Sequence, residues 1–241
     1  MKLIIIKTCL WACAHMIVQK DTFEIAYTLY KTKQYKSAIE ICDSQIKKLN
    51  PKDTLLEKFL VLRTNSHLES NRTNGAIQDY NILIDLKPEK VSYYISLARI
   101  YDSVGYYEDG ISVLKRGLKN NPKEIPILNK LSYCSAQINK YKDAINYADK
   151  GLKYAIEPMW KAALLNNRGY GYMSLGKYPE ALDDINQAIQ LDPNNSFAYC
   201  YRAIANIHLK RMETVCDDLK KAKNLGATTL TEDLIKVNCK N

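Results

Sequence analysis

Apolar residues in this chain recur at helical spacing. Ile77, Tyr80 and Ile84 lie three and four residues apart, and Leu182, Ile185 and Ile189 repeat the interval, so each set marks one face of an amphipathic helix. No stretch alternates apolar and polar residues long enough for a half-buried strand, and the pattern predicts an all-α chain. The helical stretches are punctuated by residues suited to ending or starting helices. Asn71, Gly105, Asn139 and Gly176 tolerate the left-handed conformation in which a helix terminates. Pro179 sits where a first helical turn tolerates its missing N–H, and Pro88, Pro122 and Pro193 stop the helix before them.

The punctuation is periodic. TKQYKSAI from Thr32, SNRTNGAI from Ser70, VGYYEDGI from Val104, INKYKDAI from Ile138, LGKYPEAL from Leu175 and LKRMETVC from Leu209 start 38, 34, 34, 37 and 34 residues apart. With Tyr178 set as position 17 of its unit, position 8 is small in all copies: Ala26, Thr64, Ala98, Ser132, Gly169 and Ala203. Position 20 is Ala38, Ala76, Gly110, Ala144 and Ala181, with Val215 out of pattern. Position 17 is Tyr35, Tyr107, Tyr141 and Tyr178, with Thr73 and Met212 as departures. Small residues at 8 and 20 let two antiparallel helices approach, and the Tyr at 17 opens the second helix and covers the seam to its neighbour. Self-similarity of this period means stacked helix pairs.

These positions resemble the tetratricopeptide repeat over about residues 19–229, in units 19–52, 57–90, 91–124, 125–158, 162–195 and 196–229. The resemblance implies a right-handed superhelical solenoid of antiparallel helix pairs whose first helices line a concave groove. Carried over position by position, it implies a partner-binding groove with Phe23, Tyr27, Tyr30, Asn65, Arg99, Asn129, Tyr133, Asn166 and Tyr170. Such a surface holds a protein segment by stacking and by hydrogen bonds to its backbone. The alternative is that some of these tyrosines only cover seams between units. The family's chaperone-tail carboxylate clamp is not matched, because Phe23, Tyr27, Leu62, Ser92 and Ser96, or Asn129, Tyr133, Asn167, Phe197 and Tyr201, stand at its positions.

Charge adds a second functional reading. The net charge is +9, from 35 basic and 26 acidic residues, which invites an acidic partner. Only seven of the basic residues are Arg, the residue best suited to bidentate phosphate contacts. The lysines are interleaved with Asp, Asn and Glu along second helices, as on solvated faces, which argues against nucleic acid. A helical-repeat module reading RNA or another acidic ligand through a Lys-rich outer face is the alternative to a non-catalytic protein-binding scaffold.

Residues 1–18, MKLIIIKTCLWACAHMIV, stand outside the units and admit three readings. One is a secretory signal ending at Ala12-Cys13-Ala14, and one a lipoprotein signal with Cys13 lipidated; Lys7 counts against both. The third is a capping helix with Leu3, Ile6, Leu10, Cys13 and Ile17 on one face. The segment is too short and polar to span a bilayer comfortably. Export or a cell-envelope location is favoured slightly over the cytoplasm, against the odd cysteine count. That count is seven, widely spaced with no CxxC pair, which argues against a disulfide framework or zinc knuckle. Residues 230–241 carry Leu230, Leu234 and Val237 as the stripe of a C-terminal capping helix.

Catalytic chemistry finds no constellation. His67 falls at a packing position, His208 has no triad or metal partner at a fitting spacing, and Asp183-Asp184 and Asp217-Asp218 read as solvated outer residues. No enzyme activity, cofactor or metal site is expected.

Overall fold

The computed structural model describes residues 21–227 and 229–239, and all statements of structure concern these. The leader, with Cys9, Cys13 and His15, lies outside them. Among the described residues there are helices and turns and no strand. The helices are α1 (described over 21–31), α2 (Tyr35–Ile46), α3 (Thr54–Glu69), α4 (Thr73–Leu86), α5 (Val91–Ser103), α6 (Tyr107–Asn120) and α7 (Ile125–Gln137). They continue as α8 (Tyr141–Leu152), α9 (Pro158–Ser174), α10 (Tyr178–Leu191), α11 (Ser196–His208), α12 (Val215–Asn224) and α13 (Thr229–Asn238). The chain is an all-α solenoid of antiparallel helix pairs. It divides within α5 into two compact units, one up to Ile100 and one from Tyr101 on.

Each second helix from α2 to α10 begins at position 17: Tyr35, Thr73, Tyr107, Tyr141 and Tyr178. The residue two places earlier is left-handed in all six repeats, with φ of 63° at Lys33, 56° at Asn71, 78° at Gly105, 60° at Asn139, 74° at Gly176 and 59° at Lys210. Its reversed backbone turns the chain between the helices of a pair. In α9 and α10 the small positions meet: a Cβ added at Gly169 would lie 2.8 Å from Ile185 Cγ1 and 3.3 Å from the Ala181 carbonyl. A larger side chain there would require Ile185 or the backbone to shift.

In the first unit α3 packs on α2 and α4, burying Phe59, Leu60, Leu83 and Ile84. In the second, each helix from α6 to α13 packs on the next, and the first helices also touch directly, α7 on α9 and α9 on α11. Ala181, Ile185 and Ala198 form one core cluster there; Ala203, Val215 and Leu219 form another under α13.

Three pairs carry a charged staple that corrects the outward reading of the aspartates. Asp184 and Asp218 are buried, as is Asp79, while Asp183 and Asp217 face out. Arg168 donates through Nε and Nη2 to both oxygens of Asp184, at 2.7 and 2.6 Å, and through Nη1 to Asp149 at 2.6 Å. Arg202 grips Asp218 at 2.8 and 2.6 Å and reaches Asn186 at 3.0 Å. Arg63 likewise holds Asp79 and, at 2.5 Å, Asp43. These are positions 7 and 23 of one unit plus position 25 of the unit before. The other three units hold apolar residues at both 7 and 23: Ile25 with Ile41, Leu97 with Val113, and Leu131 with Tyr147. The two positions change character together, as they must, because a buried carboxylate without its guanidinium costs several kcal/mol (~3–5).

Candidate functional site

In the second unit the first helices α7 and α9 present positions 5 and 9 on adjoining turns. Tyr133 and Asn129 come from α7, Asn166 and Tyr170 from α9, and all four are half-buried. Tyr170 stacks on Tyr201 of α11, ring centroids 4.8 Å apart, and meets Tyr141 edge-on at 6.2 Å. Phe197, half-exposed, lies 6.1 Å from Tyr201 and extends the apolar surface. Tyr178 and His208 stack in parallel at 4.5 Å. Tyr141 and Tyr178 thus cover seams, and Tyr170 shares its ring between a seam and the exposed face.

The polar groups are arranged around these rings. Asn167 donates to Asn129 Oδ1 at 3.0 Å, fixing the Asn129 amide. Asn166 Oδ1 is buried and has no hydrogen-bond partner among the described residues. Lys130 lies 4.5 Å over the Tyr133 ring and bridges to Asp102 at 2.5 Å, so its charge is neutralised within the face. Burial pushes the Tyr133 phenol up to about 12, and the nearby Asp102 carboxylate adds to the shift. Burial also raises Tyr201, with Tyr170 contributing. Both phenols therefore stay protonated at neutral pH, as hydrogen-bond donors beside flat apolar rings.

The first unit carries its own aromatic run on the sequence-predicted residues. Phe23 stacks on Tyr27 at 6.3 Å and meets Phe59 edge-on at 5.3 Å. Tyr27 lies 6.4 Å from Tyr30, which lies 5.9 Å from Tyr35. Asn65 is half-buried and Arg99 is exposed.

Sequence reasoning passed over Tyr201 and Lys130 as members of the second unit's face, and placed Asp102 at a groove position without its partner. Tyr201 occupies position 6, next to a groove position rather than on one, and only the 4.8 Å stack on Tyr170 brings it in. The Asp102–Lys130 pair spans 28 residues and leaves no local trace.

Among the described residues no group of three or more His, Cys, Asp or Glu side chains could hold a metal ion. Burial raises the Cys134 thiol to about 11 and the Cys42 thiol to about 12, which leaves both unreactive at neutral pH. His67 packs against Gly75, and burial lowers its imidazole below the ordinary value. No described helix is long and apolar enough to cross a membrane.

These features define a helical-repeat scaffold with an aromatic and amide face. The tetratricopeptide-repeat pattern matches residues 162–195 and 91–124, so the chain carries tetratricopeptide repeats. It is 23% identical to a DnaJ protein P58IPK homolog of Arabidopsis thaliana over 216 residues, covering 84% of this chain and 44% of that protein. It is 30% identical to human tetratricopeptide repeat protein 34 over 93 residues, 39% of this chain and 16% of that one. The chain thus spans less than half of either relative. Among solved structures, it superposes on the Cut9–Hcn1 hetero-tetramer structure with a TM-score of 0.64 at 17% identity, covering 92% of this chain and 43% of that one. A crystal structure of MamA protein gives 0.59 at 17% identity, covering 78% and 99%. At such identities the likeness speaks for the fold.

Proposed function

We propose that this chain is a non-catalytic scaffold that binds a segment of another protein on the aromatic and amide face of its second unit. Tetratricopeptide-repeat proteins are in general protein-interaction scaffolds. The observation that carries the finer reading is the run of rings Phe197, Tyr201 and Tyr170, with Tyr133 nearby, on the helices that also carry the half-buried Asn129 and Asn166. Rings supply contact area at low entropic cost, and phenols donate to backbone carbonyls. Because Asp102 neutralises Lys130, the face selects against strongly charged segments. We also propose an exported or cell-envelope setting, which the Cys216–Cys239 disulfide supports, since such bonds persist where thiols are oxidised.

The test is alanine substitution once a partner is in hand. Tyr133→Ala and Tyr170→Ala are each expected to weaken binding by about 1–2 kcal/mol, measured by calorimetry on variants whose circular dichroism and melting match the parent. A folded double variant that binds as well as the parent overturns the reading.

A further inference from the structure

The last helix is held by two different chemistries. Along α13, Leu234 and Ile235 pack on the cluster of Ala203, Val215 and Leu219. Thr231 is fully buried and sets its hydroxyl 3.5 Å from the Cys200 thiol of α11, which is itself buried. Beyond the end of the helix, Cys239 is joined to Cys216 of α12 across a separation of 23 residues, with Cα atoms 5.6 Å apart. The sequence argues only against a disulfide framework, and among the described residues this is the one bridge. The opposite face of α13 meets solvent, with Leu230 and Val237 exposed. Its ion pair from Glu232 to Lys223, 3.1 Å long, is exposed and contributes little. A helix of 10 residues does not persist by itself in water. Its place therefore depends on a few apolar contacts and on the bridge.

We propose that α13 is a redox-held cap. With the Cys216–Cys239 bond formed, the helix is locked over Cys200 and the apolar end of the α11–α12 pair. Reduction releases it. Two thiols of a small reductant supply two electrons and two protons. The Cys216–Cys239 S–S bond breaks, both cysteines leave as thiols, and the reductant leaves as its disulfide. Closing the cap runs the exchange in reverse with a disulfide oxidant. The device adjoins the aromatic face, since Cys200 neighbours Tyr201, but it does not rest on the function proposed above.

Cys200 reports the state of the cap, because Thr231 of α13 sets its hydroxyl against the Cys200 thiol. Losing the tether returns to the open form the freedom of a loop of more than twenty residues, which raises the opening equilibrium about 100-fold. The experiment uses the full chain in three forms: oxidised wild type, wild type in dithiothreitol followed by desalting, and Cys216→Ser/Cys239→Ser. Each is pulsed with N-ethylmaleimide, and labelling at Cys200, Cys134 and Cys42 is read by peptide mass spectrometry. Intact mass first establishes that the oxidised form lacks two hydrogens. The expected result is about 100-fold faster labelling of Cys200 in both unbridged forms, with Cys134 and Cys42 unchanged. Equal Cys200 rates overturn the proposal. So does equal acceleration of Cys134, which would mean that the whole unit loosens, and so does an air-oxidised chain that keeps all its thiols.

Discussion

Replacing Arg168 with Leu tests the staple account most sharply, because the chain itself contains the outcome of the compensated exchange. The Asp184 side chain is 5% exposed and is held by two Arg168 donors, whereas Asp149, which takes the third, is 42% exposed. Arg168→Leu leaves the Asp184 carboxylate buried without a cation, at an expected cost of about 3–5 kcal/mol. The lost arm to Asp149 adds less than about 1 kcal/mol, since that carboxylate returns to water. Asp184→Val alone strands a guanidinium that keeps its Asp149 contact, and costs somewhat less, about 2–4 kcal/mol. The double variant Arg168→Leu/Asp184→Val recreates the Leu97 and Val113 arrangement of the third repeat and is expected within about 1 kcal/mol of the parent. Urea unfolding of all four proteins, with slopes compared to confirm a common transition, yields the coupling energy. Single substitutions that cost under about 1 kcal/mol, or a double variant that costs the sum of the singles, would refute the reasoning.

Three further outcomes follow from local geometry. Gly169→Leu or Ala181→Leu drives side-chain atoms into the Gly169–Ala181 approach and is expected to lower stability by about 1–3 kcal/mol or more, read from thermal melts; unchanged melts would show that the helices do not meet there. Lys210, at φ 59°, holds a backbone that L side chains resist, so Lys210→Gly should raise stability by about 0.5–1 kcal/mol while Gly176→Ala lowers it, both by urea midpoint. Hydrogen bonds from Lys90 and Tyr93 hold the Glu57 carboxyl below its ordinary 4.5, so its contribution is complete above that value and lost as pH falls through the lower folded one; the stability gap between parent and Glu57→Gln should shrink in that window, and a gap independent of pH would be the contrary result.

The fold was legible because its grammar is local. A Tyr at position 17 starts a helix, a left-handed residue stands two places before it, and small residues at 8 and 20 mark the approach, each within one repeat. The face was legible only in part, since Tyr133, Tyr170 and the asparagines follow from position while Tyr201 joins through a contact between helices. The staples were hidden for a different reason. Asp183 and Asp184 look alike as neighbours, and choosing the inward one requires reading it against Arg168, sixteen residues earlier on the facing helix. The disulfide was hidden by its company: Cys42, Cys134 and Cys200 are buried free thiols, and their presence masks the one pair that α12 and α13 bring together.

The central claim is that the Tyr133–Tyr170 face holds a partner segment. The most direct measurement places a photo-crosslinking phenylalanine analogue at Tyr170, and separately at the exposed Lys142 of α8 as a control. After crosslinking in the native source, the joined peptides are mapped and the captured segment is synthesised for titration against parent and Tyr133→Ala/Tyr170→Ala. The account predicts a protein segment crosslinked from Tyr170 and not from Lys142, whose affinity falls at least about 30-fold in the double variant, corresponding to about 2 kcal/mol. A segment captured equally from both positions, or one bound equally by the folded double variant, would contradict it.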